Sequence, residues 1–299
     1  MSEKKVLCCS LEVPDRLEFS KILLSKRVKG EFIRIKDKAI EISHISRDKN
    51  LITGMFVTTL VRNIPPAHTP GDENDYSAVD LGYGRGLAYP NAFLYDSIKK
   101  ILLWEVNRLG VTENYICDFF KELVSKMDTG NAGDFYINLH PVLSADAYAR
   151  VENMMRIDEV EFQIVAPETY MRGIHENKSV MYVAKTAETF GASKAISIKM
   201  SADEHKSLNK KGILNMAKFI SSIGLSPAGR KRNKLVIRGI KDEEGRSVEE
   251  AVNFMVYRMC GYFSIPDLRR AHSLQVRERK EGIRSVYDNL KTDIYTLIG

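Results

Sequence analysis

Cations spaced to meet phosphates are the chemistry most visible in this chain. Residues 191–238 hold eleven lysines and arginines against two acids, a local excess of nine positive charges. Lys211 and Lys218 stand seven residues apart, two helical turns, and so share one face of a helix expected over 202–223. Arg230, Lys231, Arg232 and Lys234 follow in the segment SPAGRKRNK, with Arg238 four residues further on. Exposed cations grouped in this way neutralise phosphates and release counterions. A solvated surface is the plainer reading of any charge run; the concentration in one stretch is what favours a binding face. A second group lies in the loop DLGYGRGLAYP at 80–90. Its glycines would let backbone approach a phosphate, and Arg85 could pair with one bidentately. Tyr83 and Tyr89 could stack on bases. Position 87 is leucine, so the dinucleotide-binding fingerprint is not met, and the Gly-Lys-Ser/Thr of a P-loop is missing too. The plainer reading of these glycines is a bent connection.

Groups that could do covalent or proton-transfer chemistry are sparser. The six histidines include no helical i, i+4 pair and no H-E-x-x-H, which argues against a metal site. His140 ends an expected strand just before Pro141, where an acid–base histidine would sit in an α/β site, although a structural role there is more common. Asp134, Glu159 and Glu161 offer carboxylates to a metal nuclease, but position 163 is glutamine and the expected lysine is absent. No G-x-S-x-G elbow occurs. Cys8, Cys9, Cys117 and Cys260 include no C-x-x-C, so four reduced, mostly buried thiols are expected, and neither a metal nor a cofactor.

The elements that must position these groups read as α+β. A strand is expected at 5–13 and a helix at 14–26, then strands over 32–42 and 55–61. A long loop spans 63–77, a hairpin 93–106, and a helix runs over 112–127 with Thr112 as its N-cap. Residues 128–133 form a turn cluster and a boundary. Beyond it, strand, helix and strand at 135–139, 144–156 and 160–165 are echoed at 194–200, 202–223 and 234–240, with a helix at 178–190 between them. That rhythm implies a split β-α-β, ferredoxin-like sheet. Ser247-x-x-Glu250 has the form of a capping box, predicting a helix from 247 to 260. A further helix from Pro266 carries Ile283, Tyr287, Leu290, Ile294 and Leu297 on one stripe.

Length and composition bound the answer from outside. The chain has 299 residues, 44% hydrophobic and 28% charged, with a formal net charge of +6. These are the values of a folded globular protein of one or two domains. No apolar run is long enough to cross a bilayer, and MSEKKVLCCSLEVPD has too short an apolar stretch for a secretory signal. A cytoplasmic protein with no membrane partner is expected.

Three passages carry a resemblance: DLGYGRGLAYPNAFLYDSIKKILLWEV at 80–106, YINLHPVLSADAYARVENMMRIDEVEFQIVAP at 136–167, and KLVIRGIKDEEG at 234–245. In order and spacing they resemble uncharacterised prokaryotic proteins encoded beside prophages and anti-phage defence genes. The resemblance implies a bacterial setting with phage or mobile nucleic acid as target, and it carries no catalytic residues.

The expectation is thus an α+β protein. Residues 1–130 form a mainly antiparallel domain, 131–245 a ferredoxin-like one, and 246–299 a helical segment. Its expected function is binding of RNA or single-stranded DNA in a bacterial defence or mobile-element system. The expected contacts are Lys211, Lys218, Arg230, Lys231, Arg232, Lys234, Arg238, Tyr83 and Arg85. One alternative is a nuclease or nucleotide-processing effector using His140, Arg85 and Glu105. Another is a non-catalytic subunit that forms a homo-oligomer through its C-terminal helices.

Overall fold

The computed structural model describes residues 1–14, 16–26, 28, 31–72, 75–127, 135–165, 189, 195–222, 234–254, 256–267 and 273–298. In chain order these give β1 (Ser2–Glu12), α1 (Phe19–Leu24), β2 (Phe32–Ile35), β3 (Lys38–Asp48) and β4 (Leu51–Leu60). After them come β5 (Ala67–His68), β6 (Tyr76–Ser77), β7 (Leu87–Asp96), β8 (Ile101–Glu105) and α2 (Glu113–Lys126). The second half continues with β9 (Asn138–Pro141), α3 (Ala145–Glu152), β10 (Met154–Val165), β11 (Ala195–Ser201) and α4 (Lys210–Ser222). The last elements are β12 (Lys234–Glu243), β13 (Arg246–Asn253), β14 (Cys260–Ile265) and α5 (Val276–Ile298). Apart from Thr189, the expected 178–190 helix lies outside the described residues. The protein is α+β, as expected, and divides into two compact units.

The first unit comprises Met1–Leu7, Leu11–Ile137 and Gly261–Leu290. Its sheet runs in the order β14-β1-β8-β7-β4-β3-β2, antiparallel at each pairing from β2 to β8. β4, β7 and β8 are apolar almost throughout instead of alternating, because helices cover both faces. On one face Phe19 of α1 and Phe119 and Phe120 of α2 meet Tyr95 and Phe56 edge-on, with ring centroids 5.0–6.2 Å apart, and Phe19 meets Phe120 at 4.7 Å. On the other, α5 buries Ile283, Val286 and Tyr287, so its stripe is used within the chain. Two glycines let α5 and β14 approach closely: a Cβ on Gly282 would strike the Phe263 ring at 2.2 Å, and one on Gly261 would meet Val286 at 2.5 Å. Thr112 stands at the N-cap of α2, but its hydroxyl makes no capping bond.

The second unit comprises Cys8–Ser10, Asn138–Cys260 and Lys291–Gly299. Its four-stranded sheet has the order β11-β10-β12-β13, every pairing antiparallel. β11 and β12 therefore run parallel on either side of β10, joined through α4, which is the split β-α-β expected. β9 lies outside this sheet, and β13 takes its outer place. On one face Ala147 and Val151 of α3 and Ile213 and Ala217 of α4 pack on Val160, Phe162, Leu235, Ile237 and Val252.

Residues 247–253 are not helix. They belong to β13, in register with β12 from Glu243↔Arg246 to Val236↔Asn253, so the tail is not the helical segment expected at 246–299. Glu244 and Gly245 both have positive φ, 56° and 77°, as a two-residue type I′ hairpin turn requires. The Asp242 carboxylate accepts the Gly245 N–H at 2.8 Å. The hairpin takes the segment that the capping-box pattern assigned to a helix. β14 follows as another strand, which leaves α5 as the only helix described after residue 246.

Candidate functional site

Asn209 starts α4 by accepting the Gly212 N–H at 3.0 Å, an N-cap that shortens the expected 202–223 helix from its front. Once Ile213 and Ala217 are committed to the core, helical geometry sends Lys211, Asn215 and Lys218 outward as one stripe, bordered by Leu214, which packs in part against the core. Both lysines are exposed. Lys210 does something different: its ammonium donates to the carbonyls of Glu152 at 2.8 Å and Met154 at 2.6 Å. It thereby satisfies the C-terminal end of α3, where a cation also complements the helix dipole.

The outer stripe of α4 borders a cavity of about 750 Å³. β9 contributes His140, α3 contributes Tyr148 and Glu152, and Ser10 and Thr296 add hydroxyls. Two of the cations singled out for binding, Lys211 and Lys218, and the histidine singled out for acid–base chemistry thus line one space. Nothing in the local sequence pointed to Ser10 or Thr296, which reach the cavity from opposite ends of the chain. Leu214 and Asn215 were implicit in the seven-residue spacing of the two lysines.

Lys234 and Arg238 lie elsewhere, on the sheet face opposite the helices. There Lys234 Nζ meets Glu161 at 2.6 Å and Lys199 Nζ meets Glu159 at 2.6 Å. Arg238 bonds Glu159 and stands 3.7 Å from Glu161. The hydrogen bond from Lys199, with Arg238 beside it, holds the Glu159 carboxyl below its usual range, and Lys234 with Arg238 does the same for Glu161. β10 carboxylates thereby offset three of the cations counted in 191–238. Arg230, Lys231 and Arg232 lie outside the described residues.

In the first unit, Gly82 and Gly84 adopt φ of 74° and 73°, and the Asp80 carboxylate accepts the Gly82 N–H at 2.8 Å. The glycines serve a bent connection that leaves Arg85 exposed and Tyr83 fully exposed. Glu105, named for the enzyme alternative, is buried. Its carboxylate bonds Arg279 and accepts the Ala92 N–H at 3.2 Å, which makes it a core anchor closed to substrate. Cys8, Cys9 and Cys117 are buried and Cys260 is half-buried, and none of the four is in a disulfide; burial alone pushes the Cys8 thiol far up. Among the described residues no group of three or more His, Cys, Asp or Glu is placed to hold a metal ion. No helix among them is long and apolar enough to cross a membrane.

No curated protein matches this chain. Residues 26–244, which span β2 to β12 and include His140, Lys211 and Lys218, match the family described as "Family of unknown function (DUF6731)", and the chain belongs to that family.

Proposed function

We propose that the protein binds single-stranded nucleic acid, RNA or DNA, with the α4 stripe and the adjoining cavity as the binding surface. The observation that carries this reading is the convergence of exposed Lys211 and Lys218 with His140 and Tyr148 around one space. Cations beside an aromatic ring are what a strand with unstacked bases requires: charge for phosphates and a surface for a base. The sequence resemblance to proteins encoded near prophages and defence genes would make the target phage or mobile nucleic acid, met in a bacterial cytoplasm. Arg230, Lys231 and Arg232, which the sequence also singles out for phosphate contact, belong to the same reading.

Labelled RNA and DNA oligonucleotides, titrated from low to physiological salt, test this. Lys211→Glu with Lys218→Glu should abolish binding while changing stability by about 0.5 kcal/mol or less per site, as exposed substitutions usually do. Replacing both lysines by alanine should flatten the log–log salt dependence by roughly 0.7 for each phosphate that is no longer neutralised. It should weaken all sequences alike, because phosphate contacts position and do not specify. Wild-type protein that binds neither polymer at low salt would end the proposal. Loss of binding only when Arg230, Lys231, Arg232 and Lys234 become glutamate would move the binding surface away from α4.

A further inference from the structure

The size of the cavity beside α4 says what part of a strand it can take. At about 750 Å³ it falls within the roughly 300–1,000 Å³ of sites that enclose one small molecule. A protein that tracks a long strand uses a continuous basic groove instead. The lining also sorts into the needs of a single nucleotide. Lys211 and Lys218 supply charge from two points about 10.5 Å apart along the helix axis, near enough for long side chains to close on one anion. Tyr148 and Leu214 offer apolar surface for a base, and the Glu152 carboxylate can accept from a sugar hydroxyl or an exocyclic amine. Lys210 lines the cavity too, and its ammonium bonds the carbonyls of Glu152 and Met154.

We infer that the cavity receives the phosphorylated end of a strand: one terminal nucleotide, its phosphate held between Lys211 and Lys218. Charge favours the end over the interior. A terminal phosphomonoester carries about −1.5 to −2 at pH 7, against −1 for each internal diester, so two ammonium groups within reach of one anion gain most from the terminal group. An interior nucleotide would in addition have to lead two lengths of chain out of the same space. This inference rests on the nucleic-acid reading of the same site and names what that site selects.

The experiment compares short labelled oligonucleotides of one sequence carrying a 5′-phosphate, a 3′-phosphate or hydroxyls at both ends. One phosphorylated form should bind about tenfold more tightly than the hydroxyl form, the difference made by one added charge-assisted hydrogen bond. That advantage should shrink to near unity in Lys211→Gln and in Lys218→Gln, each checked for an unchanged unfolding transition. Equal affinity for all three ends would overturn the inference while leaving nucleic-acid binding intact. An end preference that survives both glutamine variants would also overturn it, by placing the end elsewhere. A free nucleoside monophosphate that binds where no oligonucleotide does would overturn both readings in favour of a metabolite site.

Discussion

Arg279 and Tyr287, two turns apart on α5, carry the polar side of its docking. The Arg279 guanidinium bonds the buried Glu105 and donates through Nε to the Leu274 carbonyl at 2.9 Å. Removing one member of a buried pair strands the other, so Arg279→Ala should cost about 3–5 kcal/mol. Glu105→Leu with Arg279→Met should recover much of that. A deficit of roughly 1–3 kcal/mol should remain, because the Ala92 N–H loses its acceptor. Urea denaturation of the three proteins checks this, and a double variant no better than Arg279→Ala would count against the pair. Asp96 accepts from the Tyr287 hydroxyl at 2.6 Å, Asn50 at 2.9 Å and the Ile98 N–H at 2.9 Å. Burial by itself raises its pKa, yet these hydrogen bonds together hold the carboxyl below its usual value. A folded-state pKa depressed in this way gives stability that is complete above the unfolded value of about 3.9 and lost as pH falls through the lower folded one. The stability gap between wild type and Asp96→Asn should therefore be constant near neutrality and narrow below about pH 4. A gap that stays constant down to about pH 2.5, well below that unfolded value, would show that Asp96 makes no such contribution.

At the scale of elements, what the sequence discloses depends on how local the deciding interaction is. β1, β3, β4, β7, β8 and α2 are legible because each one's own apolar pattern commits it to the core. β13 was not, since Ser247-x-x-Glu250 matches a helix start residue for residue. What decides its state is Glu244-Gly245 folding the chain back on β12, a signal that sits before the segment and not inside it. The charge run of 191–238 was legible as composition, but antiparallel pairing sets Glu159 and Glu161 of β10 among Lys199, Lys234 and Arg238. On the α4 stripe Lys211 and Lys218 are exposed. Gly239 offers a test of how tightly β12 and β10 meet. It faces an irregular stretch of β10, and a Cβ there would lie 2.2 Å from the Arg156 carbonyl. Gly239→Ala should destabilise by about 1–3 kcal/mol, as overpacking does, whereas Gly245→Ala should cost less, having open space and only a strained φ against it. Thermal unfolding of the two variants ranks them, and the reverse order would contradict the β12–β10 register.

Across the whole molecule, the units interleave along the chain in a way no local pattern announces. Residues up to Leu290 in α5 belong to the first unit and those from Lys291 to the second, while the periodicity of the helix runs on without a mark at that point. The three-part division expected from composition shifts differs from this interleaving because loops and turn clusters record where chain direction changes, not which strands pair. Ending the chain at Gly282 should therefore be severe. It removes Ile283, Val286 and Tyr287 from the first unit's core, and circular dichroism with sedimentation should show a destabilised or aggregated product. A chain cut there that stays folded with unchanged stability would contradict the docking of α5.

The pairing of β14 with β1 has a further consequence, in time. β1, at residues 2–12, pairs with β8 and β9 and also with β14, which lies far along the chain at residues 260–265. At about 5–20 residues per second, roughly 12–50 s of synthesis separates β1 from β14. β8, the partner on the other side of β1, arrives in less than half that interval. For the remainder, the part of β1 that β9 leaves uncovered would present an open edge in a nascent chain, the form of surface most prone to pair with a stranger. The cell's holding chaperones, rather than the finished fold, would have to guard that edge until the C-terminal strand emerges.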